Sequence, residues 1–189
     1  MKNINLLKNL ENYISKFRKE DTKNGKELGV NFKLLTYGTT PYKTFYNLIS
    51  HTSIKPKRFI VVGCSIGWMN FYWNDLYPNV ETIGIDIHPY RIKYGNKLIK
   101  DYELNNITLK TLSVYDFEFK SGDLIWQSNL CFPLEEIKKL NKNIIKNTSN
   151  IGIISYKPIA GPEYSSKISS YKYPVSWLKN QTFYVYEEL

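Results

Sequence analysis

The sequence predicts an α/β protein: a mostly parallel sheet with helices on both faces and an antiparallel edge at its C-terminal end. Three observations predict it. Short apolar segments of strand length alternate with segments of helical periodicity. The strand candidates are apolar at consecutive positions, as in Phe59, Ile60, Val61 and Val62, which suits strands covered on both sides. The 189 residues hold no internal repeat and no linker long enough to divide them, so a single domain with a sizeable core is expected.

Taken in order, Leu7, Leu10, Ile14 and Phe17 form a helical stripe within residues 4–20, and a glycine-marked loop follows around Asn24 to Gly29. "TYGTTPYKTFYNLIS" reads as a turn entering a helix, with Thr40 as N-cap and Pro41 in the first turn. From Arg58 to Ile87 the chain runs "RFIVVGCSIGWMNFYWNDLYPNVETIGIDI": strand, glycine turn, helix, and a second strand over Thr82 to Ile87. A helix is expected over His88 to Tyr102, a third strand at "ITLKTL" and a fourth at "GDLIWQ". "PLEEIKKLNKNIIKN" places Leu134, Ile137, Leu140 and Ile144 on one helical face, with glutamates early and lysines late, as the helix dipole favours. "NIGIISYKPI" is a fifth strand, "AGPEYSSKISSYKYP" has room for a short one, and "TFYVYEEL" closes the chain as another.

Composition narrows the function classes. Hydrophobic content of 42% with 15% aromatics marks a globular chain. No apolar run reaches the roughly 20 residues that span a bilayer, and "MKNINLLKNLENY" lacks a signal cleavage site, so an intracellular protein without membrane contact is expected. Two cysteines and two histidines leave nothing spaced for a metal or a histidine-centred nucleophile. The net charge of +9 is uneven: residues 1–60 carry 12 Lys+Arg against 4 Asp+Glu, and "HTSIKPKRF" is the densest piece. That excess suits either a solvated face or a patch that meets phosphates.

Ligands of open parallel sheets sit beyond the carboxyl ends of the strands. Those ends are expected at Gly63 to Gly67, at Asp86, at Tyr115-Asp116-Phe117 and at Ser128 to Phe132. Small residues in the first turn let backbone approach a ligand, and Asp86, nineteen residues past Gly67, is placed to accept from both hydroxyls of a ribose. Asp116 is suited to an adenine amino group, with Phe117 covering the ring.

The order of glycine turn, second-strand acid, third-strand acid and fourth-strand polar site resembles the seven-strand S-adenosylmethionine-dependent methyltransferases. Within them the chain is similar to the disruptor-of-telomeric-silencing family, the histone lysine methyltransferases without a SET domain. The likeness covers residues 36–189 and leaves 1–35 as an N-terminal helical segment. It rests on "TYGTT", "YDF", "LIWQSNLCFP", "ISYKPI" and "PVSWLKNQTFYVY". The resemblance implies a Rossmann-like fold and S-adenosylmethionine as cofactor. It implies cofactor contacts from Tyr37, Gly38 and Thr40, from Gly63, Ser65 and Gly67, and from Asp86, Asp116 and Phe117. It implies an aromatic channel of Phe132, Trp177 and Tyr184 beside Ser128 and Asn129, through which a substrate lysine reaches the methyl group. An apolar sleeve favours the neutral amine that must attack, and ring faces hold a cationic product.

Departures stand beside the likeness. The family's first-strand acid falls at Val61, its loop glutamate at Thr39, the middle glycine at Ser65 and the first acceptor-loop asparagine at Ser128. Losing two acids around one ammonium weakens its hold on the cofactor. The expectation is a protein lysine methyltransferase with a histone or nucleosome as leading partner, docked in part through basic residues 1–60. Two alternatives stay open: an RNA or small-molecule methyltransferase of the same fold, and a binding module that has lost the cofactor site.

Overall fold

The computed structural model describes residue 21, residues 38–159 and 168–187, and residue 189. The expected stripe at 4–20, the glycine-marked loop, most of the 1–35 segment and Tyr37 lie outside these residues.

Seven strands form one sheet in the order β3-β2-β1-β4-β5-β7-β6. β1 (Arg58–Val62), β2 (Glu81–Asp86), β3 (Ile107–Thr111), β4 (Asp123–Gln127) and β5 (Gly152–Ser155) run parallel. β6 (Ile168–Val175) and β7 (Leu178–Tyr186) form a hairpin, with β7 antiparallel to β5. Among the described residues the sheet is packed by α1 (Tyr42–Ile49), α2 (Trp68–Leu76), α3 (Pro89–Asp101) and α4 (Leu134–Asn147).

Side-chain alternation along the strands divides the core in two. Phe59, Val61, Trp126, Ile154, Phe183 and Val185 face α1, α2 and α3. That layer is strongly aromatic: Phe59 stacks on Trp73 with centroids 4.4 Å apart, and Phe45 packs 5.5 Å from Trp126. Ile60, Val62, Ile83, Ile85, Ile125, Ile153 and Tyr186 face the other way, where Leu140 and Ile144 of α4 cover them. Both faces are covered, so β1 reads as a nearly unbroken apolar run and β4 is apolar at its three central residues.

Several expectations are corrected. Thr40 does not cap α1: Pro41 occupies the cap position, and the Thr40 hydroxyl pairs with Tyr156 Oη at 2.6 Å. The third-strand acid is not at a strand end, because β3 stops at Thr111 and Asp116 follows in a 3-10 turn over Val114–Asp116. β5 ends at Ser155, leaving Tyr156 to Ile159 of the expected strand beyond it. β6 is eight residues long rather than short. It tolerates Pro174 because its outer edge needs no ladder donor there.

At the amino ends of β1 and β4, Arg58 makes a bidentate pair with Asp123, at 2.9 and 2.7 Å. Asp123 is 1% exposed and also accepts from the Lys120 N–H. Breaking a buried pair from one side strands the other charge. Asp123→Asn is expected to lower the unfolding free energy by about 3 kcal/mol, read from the urea midpoint. Asp116→Asn, at an exposed position, should stay within about 0.5 kcal/mol of the parent.

Candidate functional site

The turn after β1 folds back on β2. The N–H groups of Gly63 and Cys64 both donate to the Ile85 carbonyl, at 2.9 and 3.1 Å. Gly63, Ser65 and Gly67 take φ of 69°, 54° and 95°, the left-handed region. Ser65 holds that conformation without being glycine, and its N–H donates to Asp86 Oδ2 at 2.8 Å. The other oxygen, Oδ1, accepts from the His88 N–H at 2.9 Å. One carboxylate thus ties the glycine turn to the start of α3, and each oxygen keeps a further lone pair for a ligand. Gly95 of α3 lets that helix meet the turn: a Cβ there would lie 2.4 Å from the Ile66 carbonyl oxygen.

Beneath the turn, burial and then the Asp86 charge push the Cys64 thiol well up, so it stays neutral. His88 is buried, neither ring nitrogen has a hydrogen-bond partner, and Nε2 lies 3.8 Å from Asp21 Oδ1. Asp21 makes a bidentate pair with Arg91 at 2.9 and 2.7 Å, which docks residue 21 beside the turn.

Beyond β4, the Ser128 carbonyl oxygen stands 3.4 Å from where a Cβ on Gly63 would be, and Phe132 Cε1 stands 3.9 Å from it. Asn129, 1% exposed, is used internally. Its Oδ1 accepts from the N–H groups of Tyr156 and Lys157 at 3.2 and 3.1 Å, and Nδ2 donates to Gln127 and to the Lys157 carbonyl. It fixes the loop after β4 to the exit of β5.

The loop at 38–40 is laced to the β6–β7 hairpin. Thr39 N–H donates to Ser176 Oγ at 2.9 Å, and Ser176 N–H donates to the Thr39 carbonyl at 3.0 Å. The Trp177 ring lies so close over Gly38 that a Cβ there would fall 2.1 Å from Cε3. Trp177 also packs 5.7 Å from Tyr156, whose hydroxyl burial pushes up to about 12.

Of the expected site residues, the structure brings Gly63, Ser65, Gly67 and Asp86 into one unit, with Ser128 and Phe132 facing it. Gly38, Thr40 and Trp177 form a second unit around Tyr156. Phe132 and Tyr184 pack on the α4 face, whereas Trp177 sits with Gly38 on the rim. No ring contact joins Phe132, Trp177 and Tyr184 among the described residues. The Phe117 ring is in the core, 4.9 Å from Phe119, while Asp116 is exposed. Sequence reasoning passed over Ile87, 71% exposed beside Asp86, and over Tyr156 and Lys157. An apolar residue directly after a strand-end acid is the signal that would have found Ile87.

The densest basic piece lies elsewhere. Lys57 N–H donates to the Gly122 carbonyl at the amino ends of the strands, Arg58 is paired with Asp123, and His51 Nε2 shares a 2.7 Å hydrogen bond with Tyr173. Among the described residues no His, Cys, Asp and Glu group is arranged to hold a metal, and no helix is long and apolar enough to cross a membrane.

Two predictions follow from this geometry. Burial, then Arg91, hold His88 below its ordinary 6.5, against Asp21 and Asp86. A base depressed on folding binds more protons when unfolded, so stability is lost as pH falls below 6.5 toward the folded value. The urea midpoint should drop between about pH 7.5 and about pH 5.5, and His88→Gln should flatten that drop. Trp177 is 41% exposed and the other three tryptophans 5% or less, so acrylamide reads Trp177. Gly38→Ala should displace the ring and raise quenching; unchanged quenching would refute the contact.

No family model matches the chain. It is 25% identical over 116 residues to the uncharacterized protein RP028 of Rickettsia prowazekii, covering 57% of this chain and 46% of that protein. The chain thus spans about half the length of the curated relative it matches. An RNA methyltransferase from Salinibacter ruber, solved with S-adenosylhomocysteine, superposes with a TM-score of 0.64 at 11% identity, covering 79% of this chain and 93% of that one. TrmK of M. capricolum, also with S-adenosylhomocysteine, gives 0.55 at 14% identity, covering 75% and 66%. The strand order, the glycine turn tied to a β2 acid and these superpositions establish that the chain has the Rossmann-like fold of the S-adenosylmethionine-dependent methyltransferases.

Proposed function

We propose that the protein is an S-adenosylmethionine-dependent methyltransferase acting on an amine nitrogen, with a protein lysine as acceptor. The observation that carries the cofactor reading is the Asp86 carboxylate, held at the carboxyl end of β2 by the Ser65 and His88 N–H groups. The residues fit a nucleoside. Asp86 accepts from ribose hydroxyls, Ile87 offers an apolar surface to one face of the adenine, and Asp116 stands exposed for its amino group. Gly63, partly exposed in the turn, brings backbone to the amino-acid end, whereas Gly67 is buried against Leu109. Phe117, with its ring in the core, supports the turn that carries Asp116 rather than covering the base.

When bound, S-adenosylmethionine supplies a methyl group on a sulfonium. The chain's own part is to present a neutral nitrogen in line with that carbon. The Ser128 carbonyl, facing Gly63, is placed to accept a hydrogen bond from the incoming amine. Tyr156 and Trp177 give that side an aromatic wall, which disfavours the ammonium before transfer and holds the methylated cation after it. A histone-like substrate, with docking through basic residues 1–60, stays part of this reading.

The second reading is an RNA acceptor. It is favoured by the RNA methyltransferase from Salinibacter ruber, 93% of which the chain covers. Titration calorimetry with S-adenosylhomocysteine tests the cofactor reading. Binding is expected, and Asp86→Ala should weaken it by at least about tenfold, the loss of a charge-assisted hydrogen bond. Transfer of labelled methyl to lysine-rich protein, with none to RNA, supports the first acceptor and the reverse supports the second. No transfer to either by protein that binds the nucleoside would defeat the catalytic claim.

A further inference from the structure

We propose that the Lys157 ammonium binds the carboxylate at the amino-acid end of S-adenosylmethionine, so that this end is recognised through its negative group. The inference rests on the cofactor reading above. Its starting point is the missing acids. Val61 is an apolar residue in the aromatic core, 1% exposed, and Thr39 brings only a hydroxyl. Neither position supplies a carboxylate for the cofactor's ammonium.

Lys157 lies two residues past the end of β5 and is fixed at its backbone. Its N–H donates to Asn129 Oδ1 at 3.1 Å, and its carbonyl accepts from Ser155 Oγ at 2.7 Å. From that anchor the side chain crosses to the loop after β4, where Nζ donates to the Phe132 carbonyl at 3.0 Å. The ring of the same Phe132 faces Gly63. The ammonium is therefore tied to the loop after β4 at Phe132, the residue whose ring approaches the partly exposed Gly63.

An ammonium has three donors. One is used by Phe132, and no carboxylate among the described residues pairs with this one. A partly buried cation with open donors is a seat for an anion, and the amino-acid end of the cofactor carries one. Family members of the resembled kind spend acids on the ammonium; here the sign of the recognising side chain is reversed.

Calorimetry on the full chain tests this with two ligands and three proteins. The ligands are S-adenosylhomocysteine and its decarboxylated analogue; the proteins are the parent, Lys157→Met and Lys157→Arg. Neither substitution touches the backbone bonds to Asn129 and Ser155. The parent should prefer the carboxylate-bearing ligand by about ten- to a hundredfold, as for a charge-assisted hydrogen bond. Lys157→Met should bind both ligands alike, and Lys157→Arg should keep the preference in part. A preference absent from the parent, or surviving in Lys157→Met, overturns the inference while leaving the cofactor reading intact. So does a Lys157→Met protein with unchanged affinity and a raised KM for acceptor. A parent that binds neither ligand overturns the cofactor reading, and this inference with it.

Discussion

One carboxylate organises the rim of this sheet. Asp86 ends β2 and accepts from Ser65 on one oxygen and from His88 on the other. Without it the turn after β1 would lack the acceptor that holds Ser65 at a φ of 54°. A left-handed non-glycine residue costs roughly 1–2 kcal/mol, which a charge-assisted hydrogen bond offsets. The helix beyond must then come close enough for Gly95 to meet the Ile66 carbonyl. Turn, acid and helix are one mechanical unit, and any ligand that engages Asp86 meets a group that is already oriented.

The loop after β4 is built by different means. There the chain uses a buried polar network instead of a turn: Asn141 to Gln127, Gln127 to Asn129, and Asn129 to the backbone of Tyr156 and Lys157. Asn129 thereby acts on the loop's position, and the groups left facing Gly63 are the Ser128 carbonyl and the Phe132 ring. The loop at 38–40 is held to the hairpin by two hydrogen bonds and the Gly38–Trp177 contact. A shift at one is felt at the other, because neither has room to move alone.

The fold was legible wherever burial dictated pattern. β1, the glycine turn, α2 and β2 read directly, because strands covered on both faces are apolar throughout and helices between them are periodic. Asp116 was misjudged as a strand-end acid because sequence order does not show that β3 stops at Thr111 and a 3-10 turn follows. Thr40 looked like a cap because its residue type favours that role, yet a long-range partner, Tyr156, claimed the hydroxyl. β6 was underestimated because an edge strand tolerates Ser, Lys and Pro on its open face, which imitates loop composition. The grouping of Phe132, Trp177 and Tyr184 came from a resemblance in spacing. Spacing does not report the face of the sheet: Tyr184 lies opposite Ser155 and Ser170 and packs toward α4.

The distribution of charge constrains the acceptor. Lys55 and Lys57 sit at the amino ends of the strands, whereas Asp86 and the Ser128 carbonyl sit at the carboxyl ends. β1 is five residues long, so about 16 Å of sheet separates the two levels at 3.3 Å per residue. At physiological ionic strength the Debye length is about 8 Å, so these exposed lysines contribute little field at the rim. A small acceptor bound opposite Gly63 never meets them. Under the proposed function, an extended acceptor, polypeptide or polynucleotide, reaches both levels at once, so that the lysines bear on docking while Asp86 holds the cofactor.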